Sequence, residues 1–443
     1  MTGDAVTRRA SYGPKSPVVG ERGSRTRRQI VDVTLDLFAT WGFHATSVDD
    51  IARAAGISRA TLYQYFESKD QIFVELMEEC GSALLRVVRR LGPLGPTTEG
   101  FDNLHWWLGE WAWVYDKYAT MFVQWAHIDS SEAAVGEMVT GFSDAYADRI
   151  SVRLESSGVR TADVRNTSMA LAALVHRVNY LRHVGENRGL TDEMVVDSLA
   201  VVVQLALFPE TPAEILTAHG LQASGTDLRS LGRPPKHPAP TSGRFDHLSV
   251  RARRTVDHLL DAASRAFAAR GYNSANVDVV VTEAGVARGT FYKYFQDKLD
   301  LLTALSEEAT GQLCESAERF ADIRPGDGAA EQLRSWLAEF LPIEQRYAGV
   351  LRAWVERQPD DPTVRALGYQ VGASLVDALG GVLAQVKRAY PLSPEVAALV
   401  LIALLERVPD ELAAGSRPAS GEAIIETLAE FIERGLLAGE PVA

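Results

Sequence analysis

The stretch Thr26 to Glu75 recurs 229 positions further on without insertion or deletion, and this duplication constrains the fold more than any other feature. The centre of the first copy reads Ala-Gly-Ile-Ser-Arg-Ala-Thr-Leu-Tyr-Gln-Tyr-Phe (Ala55 to Phe66). That of the second reads Ala-Gly-Val-Ala-Arg-Gly-Thr-Phe-Tyr-Lys-Tyr-Phe (Ala284 to Phe295). The same offset carries Trp107 onto Trp336, Tyr118 onto Tyr347, Trp125 onto Trp354, Glu193 onto Glu422 and Leu199 onto Leu428. A single offset held this far marks duplication of whole domains, residues 22–214 and 251–443, since solenoid repeats have periods of roughly 20 to 50 residues. The intervening 215–250 is rich in Pro, Gly and Ser. Such a composition cannot continue a helix and predicts an extended, semi-stiff linker.

The 443 residues, 46% hydrophobic, suffice for two ordinary domains, each with its own core. Cys80 and Cys314 do not correspond between the copies and lack metal-ligand spacing, so no metal, cofactor or disulfide framework is expected. Residues 1–20 carry Arg8, Arg9 and Lys15 but no apolar segment of the signal-peptide kind. The longest apolar run, Val396 to Leu405, is too short to span a bilayer. The expectation is a soluble cytoplasmic protein with no membrane partner.

A net charge of -13 argues at first against a nucleic-acid partner, but its distribution argues the other way. Residues 22–69 carry seven Lys/Arg against five Asp/Glu, a balance of +2, and residues 244–298 carry nine against six, a balance of +3. An acidic body with basic heads presents only its heads to DNA.

Local patterns give each head three helices. The first, about Arg27 to Trp41, places Ile30, Val33, Thr34, Leu37 and Phe38 at helical spacing and stops at Gly42. Its counterpart places Val256, Leu259, Leu260, Ala263 and Phe267 in the same way and stops at Gly271. Ser47 and Asn276 are N-caps of short helices that end at Gly56 and Gly285, the residues of a tight turn. The next helix, Ser58 to Phe66 or Ala287 to Phe295, carries Arg, Thr, two Tyr and no acid. Such a helix suits a major groove, where Arg can fork onto guanine, the Thr methyl can meet thymine and Tyr hydroxyls can reach phosphates.

The motif Ala-Gly-x-x-x-x-Thr-x-Tyr-x-Tyr-Phe, followed three residues later by Lys69 or Lys298, resembles the TetR family of bacterial repressors. The resemblance covers about fifty residues per copy and implies an all-α chain of two tandem domains. Each has an N-terminal three-helix helix-turn-helix head and a C-terminal helical body for ligand binding and dimerisation. On this frame residues 1–21 are a flexible basic tail, 22–77 the first head, 78–214 its body, 215–250 the linker, 251–306 the second head and 307–443 its body. The partner implied is double-stranded operator DNA. In the first head the candidate contacts are Arg25, Arg27, Arg28, Ser47, Ser58, Arg59, Thr61, Tyr63, Gln64, Tyr65 and Lys69. In the second they are Arg251, Arg253, Arg254, Arg288, Gly289, Thr290, Tyr292, Lys293, Tyr294 and Lys298.

Family members work as homodimers whose heads meet half-sites about one helical turn apart. One chain here owns two heads, and they differ: Ser58, Ala60, Leu62 and Gln64 give way to Ala287, Gly289, Phe291 and Lys293. A covalent pseudo-dimer with unlike readers predicts an asymmetric operator. In the bodies, helical patterns run through 70–90, 102–126, 133–156, 163–184 and 191–208, each with a counterpart 229 positions on. The resemblance implies a four-helix bundle from the last two helices of each body. Their apolar stripes are Leu171, Leu174, Val178, Val195, Leu199 and Val202, and Val400, Ala403, Leu404, Ile424, Leu428 and Phe431. Mutual burial within one chain is the economical solution, because either stripe alone is an exposed patch; pairing of two chains, like with like, remains the alternative.

The first body concentrates aromatics. Trp107, Trp111, Tyr118, Phe122 and Trp125 share one helical face and read as core, whereas Trp106 and Trp113 lie on a second face and match Ser335 and Pro342. That second face suggests either the wall of an apolar pocket or an interface. As a ligand site the candidates are Trp106, Trp107, Trp111, Trp113, Phe122, Trp125 and His176, with Gln124 and His127 as orienting groups. The ligand implied is a hydrophobic small-molecule effector. The tandem arrangement further resembles actinobacterial repressors of mammalian-cell-entry, lipid-import operons. In the linker, Gly232-Arg233-Pro234 resembles an AT-hook core without its preceding Arg, Leu231 standing there, and a plain spacer is the default. No phosphate loop, metal cluster or nucleophile elbow supports an enzyme. A ligand-binding or protein-interaction module whose heads no longer bind DNA is the other alternative.

Overall fold

The computed structural model describes residues 21–43, 45–125, 133–185, 190–217, 243–326, 328–356, 359–390, 392–414 and 416–441, and the side chains of 123–125, 133–140, 440 and 441 fall outside that description. The tail 1–20 and the Gly232-Arg233-Pro234 segment lie outside the described residues, as do the side chains of Gln124 and Trp125, and His127.

In the first copy α1 (Glu21–Trp41) buries Ile30, Val31, Thr34 and Phe38 and is followed by α2 (Val48–Ala54), α3 (Arg59–Tyr65) and α4 (Lys69–Arg90). Because α1 begins at Glu21, Arg25, Arg27 and Arg28 stand on its first turns and not on a flexible arm. The body continues with α5 (Thr98–Trp125), α6 (Ala133–Ser156), α7 (Val164–His183), α8 (Asp192–Leu207) and the single turn α9 (Ala213–Leu216). Copy two repeats the order. Its head comprises α10 (Val250–Ser274, broken at Gly271), α11 (Val277–Glu283), α12 (Arg288–Phe291) and the start of α13 (Lys298–Ala321). The second body adds α14 (Ala329–Glu356), α15 (Pro362–Leu383), α16 (Pro394–Ala414), α17 (Gly421–Glu430) and a π-helical turn, Phe431–Leu436. One element departs from the all-helical expectation: β1 (Val386–Lys387) pairs antiparallel with β2 (Glu440–Pro441).

The helices start where local chemistry supplies a partner for their first N–H groups. Ser47, Ser58, Asp163, Thr191, Asn276, Asp297, Asp361 and Ser420 each accept a hydrogen bond from the first turn they precede. Gly56 and Gly285, at φ +65° and +67°, make the turn between the second and third helices, and a Cβ at either would meet open space. The backbone conformation alone therefore calls for glycine there.

The chain forms two compact units, residues 1–90 with 109–142 and residues 91–108 with 143–443. The first holds α1 to α4, in which α1 packs on α2 and α4 around Ile30, Phe38, Phe66, Phe73 and Leu76. Within the second, α10 packs on α14, and α13 on both α14 and α15. The α10–α14 crossing is close: a Cβ on Gly349 would lie 2.5 Å from the Ser264 carbonyl oxygen. Among the described residues α15 is the one helix long and apolar enough to cross a membrane, by length and composition. Here it buries Val364, Leu367, Val371, Leu375 and Leu379 in the second body.

The same unit contains the bundle that joins the copies. Helix α7 packs on α16 and α8 on the π-helical turn, with α7 on α17 and α8 on α16 completing the set. Every residue of the two stripes named from the sequence is buried, from Leu171 to Val202 and from Val400 to Phe431. Burying branched aliphatics on both sides of one seam supplies the hydrophobic stabilisation that an exposed stripe would forfeit.

Candidate nucleic-acid interface

The exposed surface of α3 is built by what α3 buries. Leu62, Tyr65 and Phe66 turn inward, which leaves Ser58, Arg59, Ala60, Tyr63 and Gln64 outward and Thr61 half-buried. Ser58 caps the helix, accepting from the Thr61 N–H at 3.0 Å. Arg59 does not wave free. Its Nη1 donates to the Asp49 carboxylate at 3.1 Å and its Nη2 to the Tyr63 hydroxyl at 3.2 Å, with the guanidinium 5.5 Å from the Tyr63 ring centroid. The hydrogen bond to the Tyr63 hydroxyl and then the Asp49 charge favour the charged form and raise the guanidinium pKa.

The second head reproduces this arrangement. Arg288 donates to Asp278 at 3.0 Å and to the Tyr292 hydroxyl at 3.5 Å, and its guanidinium lies 5.9 Å from the Tyr292 centroid. Gly289 and Lys293 are exposed beside it, and Thr290 and Tyr294 are half-buried. Both ion pairs are more than half exposed, 58% and 54% for Arg59 and Asp49 and 59% and 60% for Arg288 and Asp278. Pairs so accessible contribute little to stability, so the guanidinium can exchange its carboxylate for a base edge or phosphate at small cost. Asp49 and Asp278 stand on the second helices, outside the acid-free third helices that mark the reading surface in the sequence. Their shared spacing of ten residues ahead of the arginine, in both copies, was the available signal.

The third helices differ in length. Helix α12 is regular only over Arg288–Phe291, and its continuation uses shorter i→i−3 bonds, Lys293 N–H to Thr290 O at 3.3 Å and Tyr294 N–H to Phe291 O at 2.9 Å. Two substitutions explain this. Ala287 supplies no side-chain cap where Ser58 does, and Gly289 has lower helix propensity than Ala60. A Cβ on Gly289 would meet nothing within 4 Å, so the position opens a smooth strip of backbone to any partner.

Several residues expected at the interface do other work. Arg27 is buried: its Nε donates to Glu75 at 3.0 Å, its Nη1 to the Tyr65 carbonyl at 2.7 Å, and its guanidinium lies 4.0 Å from the Phe66 centroid. It locks the head onto α4 and has no face left for phosphate. Tyr65 is buried with it. Lys69 donates to the carbonyls of Phe43 at 2.6 Å and Thr46 at 2.9 Å and stitches the loop after α1, and Lys298 donates to that of Tyr272 at 2.6 Å, in the last turn of α10 beyond its break at Gly271. Burial lowers both ammonium pKa values, in agreement with a structural role. Ser47 closes a capping box with Asp50. Arg25, Arg28, Arg251, Arg253 and Arg254 remain exposed on the first helices, with Arg253 paired to Asp257 at 3.0 Å.

The candidate effector residues stand in different surroundings. Trp107 and Trp111 are core, and Trp111, Tyr115 and Phe122 form a stack whose Tyr115 and Phe122 centroids are 4.6 Å apart. Trp106 is half-buried, whereas Trp113 is 62% exposed. His176 belongs to the seam between the copies. Burial there, with Arg407 and Arg177 nearby, pushes its pKa far down, to about 3, which keeps the imidazole neutral.

Comparison with known proteins agrees with this geometry. The model for bacterial regulatory proteins of the tetR family matches twice, at residues 30–76 and 259–305, the two heads. The HTH-type transcriptional repressor Rv1474c of Mycobacterium tuberculosis is 32% identical over 183 residues, covering 40% of this chain and 87% of that protein. The chain belongs to the TetR family of bacterial transcriptional regulators. Two shorter matches span under two fifths of the relatives' own length. A proposed mycofactocin biosynthesis transcriptional regulator, MftR, from M. tuberculosis is 54% identical, covering 13% of this chain and 30% of that protein. The fatty acid metabolism regulator protein of Bacillus subtilis is 40% identical, covering 17% and 38%.

Proposed function

We propose that this DNA-binding regulator is a cytoplasmic repressor that reads an asymmetric operator with two unlike heads carried on one chain. The observation that supports it most is the recurrence of the Asp–Arg–Tyr arrangement on both exposed third helices, Asp49, Arg59 and Tyr63 in one and Asp278, Arg288 and Tyr292 in the other. Equal arginines would anchor each head, while Gln64 against Lys293 and Ala60 against Gly289 would make the half-sites differ. The helix bundle between the bodies supports a single chain as the functional pair, in place of the usual homodimer. We infer a hydrophobic, lipid-like effector, with the fatty acid metabolism regulator among the relatives and the aromatic concentration of the first body, Trp106 and Trp113 included, as its support. A lipid-import operon as the regulated target rests on the tandem arrangement. Effector release of DNA would follow from tighter binding to the conformation that holds the heads at the wrong spacing.

The test is a salt-dependent gel shift on the promoter region upstream of the chain's own gene, with Arg59→Ala and Arg288→Ala made separately and the complex weighed by native mass spectrometry. Each substitution should weaken binding by about 1 to 3 kcal/mol, roughly five- to a hundred-and-fifty-fold, and relax base preference in one half-site only. A symmetric footprint with equal dependence on both arginines removes the asymmetric reading. A wild-type chain that shifts no DNA at low salt removes the repressor.

A further inference from the structure

The seam between the copies brings equivalent positions face to face. Arg177 of α7 and Glu406 of α16 are separated by 229 residues, the offset of the duplication itself. The guanidinium donates from Nε at 2.9 Å and from Nη2 at 2.5 Å to Glu406 Oε2. Ala206 and Gly435 are likewise counterparts, and a Cβ built on Gly435 would lie 3.5 Å from that of Ala206 and 2.9 Å from the Val202 carbonyl oxygen. Residues that touch their own counterparts stand on the axis relating the two halves, as in any isologous interface. In a symmetric dimer an axis residue meets its own copy and cannot be complementary in charge. Here a cation meets an anion.

We propose that Arg177 and Glu406 form a pairing code that directs each body to the unlike body and disfavours association of two chains like with like. Like-with-like pairing would set Arg177 against a second Arg177 and Glu406 against a second Glu406. The site is enclosed enough for that to matter, with side chains 9% and 29% exposed, and removal of one partner leaves a poorly solvated charge. The other half of the code is proximity: the linker keeps the unlike body at high local concentration, so the favoured partner is the one on the same chain. This inference rests on the reading of the chain as its own pair. It adds how that pair is chosen.

The experiment uses the full chain with Arg177→Glu, Glu406→Arg and the double exchange, followed by thermal melting and by native mass spectrometry. Each single exchange should lower the melting temperature by several degrees, and the double exchange should recover most of the loss. An equimolar mixture of the two single variants should form a two-chain species absent from either alone, because only between those chains do opposite charges meet. Single exchanges that melt and weigh like wild type overturn the code, as does a double exchange that melts no better than the singles. Should the singles fail to fold, recovery of folded protein in the double variant supports the code and its failure overturns it. A wild-type chain that itself weighs as two copies overturns the underlying one-chain reading, a result distinguishable from failure of the charge exchange.

Discussion

The two heads share one exposed Asp–Arg–Tyr arrangement and differ in how it is supported from within. Arg59 with Asp49 and Tyr63, and Arg288 with Asp278 and Tyr292, are the same exposed arrangement twice. Beneath them the support has been rebuilt. The Arg27–Glu75 ion pair of the first head falls on Val256 and Ala304 in the second, both buried. There the ring of Phe295, counterpart of Phe66, is covered from outside the helices, by Phe245 at 5.8 Å and by Arg244, itself paired with Asp300. Two solutions to one junction show that the junction needs a covered aromatic face, and that a guanidinium or another ring will serve.

That comparison breaks most readily at Arg27. Arg27→Ala should destabilise the first head by about 3 kcal/mol, because it strands Glu75, only 21% exposed, and uncovers Phe66. Arg27→Val combined with Glu75→Ala installs the residues of the second head and should lose much less, as buried ion pairs are commonly replaceable by apolar ones. Chemical denaturation of the three proteins checks this. A single substitution as mild as the double one means that the two junctions are not alternatives.

The reasons for misreading Arg27 also show what the sequence could convey. The bundle stripes were legible because they repeat at helical spacing, and the twelve stripe residues, Leu171 to Val202 and Val400 to Phe431, are buried as expected. Arg27 was not legible from its own neighbourhood. It sits in a basic run beside Arg25 and Arg28, and its partner Glu75 is 48 residues away. The joint change of both partners to Val256 and Ala304 in the other copy was the one sequence signal of their contact. Lys69 and Lys298 misled in another way: a recurring lysine at the start of a helix looks like a phosphate contact until the loop carbonyls fold over it. For Trp113 the helical wheel gave the face but not what covers it, and its surface is open.

The bodies offer the next contrast. Where the first has Tyr115 in an aromatic stack, the second has Glu344, 3% exposed, its pKa pushed up to about 8 by burial and by Asp410 and Glu406. Between the ordinary carboxyl value of 4.5 and 8 the folded state therefore binds more protons than the unfolded one. Stability falls as pH rises through that window, and the loss is complete above it. Glu344→Gln should match wild type at pH 4 and exceed it at pH 8, by on the order of 2 kcal/mol. Melting temperatures across pH that run parallel for the two proteins would show that Glu344 ionises freely in the fold.

The third helices can be made alike by small steps. Ala287→Ser restores the missing cap and Gly289→Ala the missing propensity, each worth about 1 kcal/mol of helix stability. Amide exchange of residues 288–295 should slow in the double variant. DNA affinity should move the opposite way if the Gly289 backbone lies against a base pair, since the added methyl occupies that space. Slower exchange with unchanged affinity would mean that Gly289 faces no partner.

The subtlest difference is a bridge built twice from unlike residues. In the second body Arg334 of α14 forks onto Glu426 of α17 at 2.6 and 2.7 Å, and at the matching positions His105 of α5 meets Asp197 of α8 at 2.6 Å. The arginine pair is a permanent ion pair, 40% and 31% exposed, whereas the histidine pair is ionic only when the ring is protonated. Both should be worth under about 1 kcal/mol. The arginine pair should weaken with salt, because screening acts on an ion pair between exposed groups. Arg334→Ala is therefore expected to cost less as ionic strength rises. His105→Arg should import that salt dependence into the first body. A variant bridge that ignores salt would show that the two positions are not equivalent, whereas one that matches Arg334 would make the two bridges one device, leaving the heads and the seam as the places where the copies have parted.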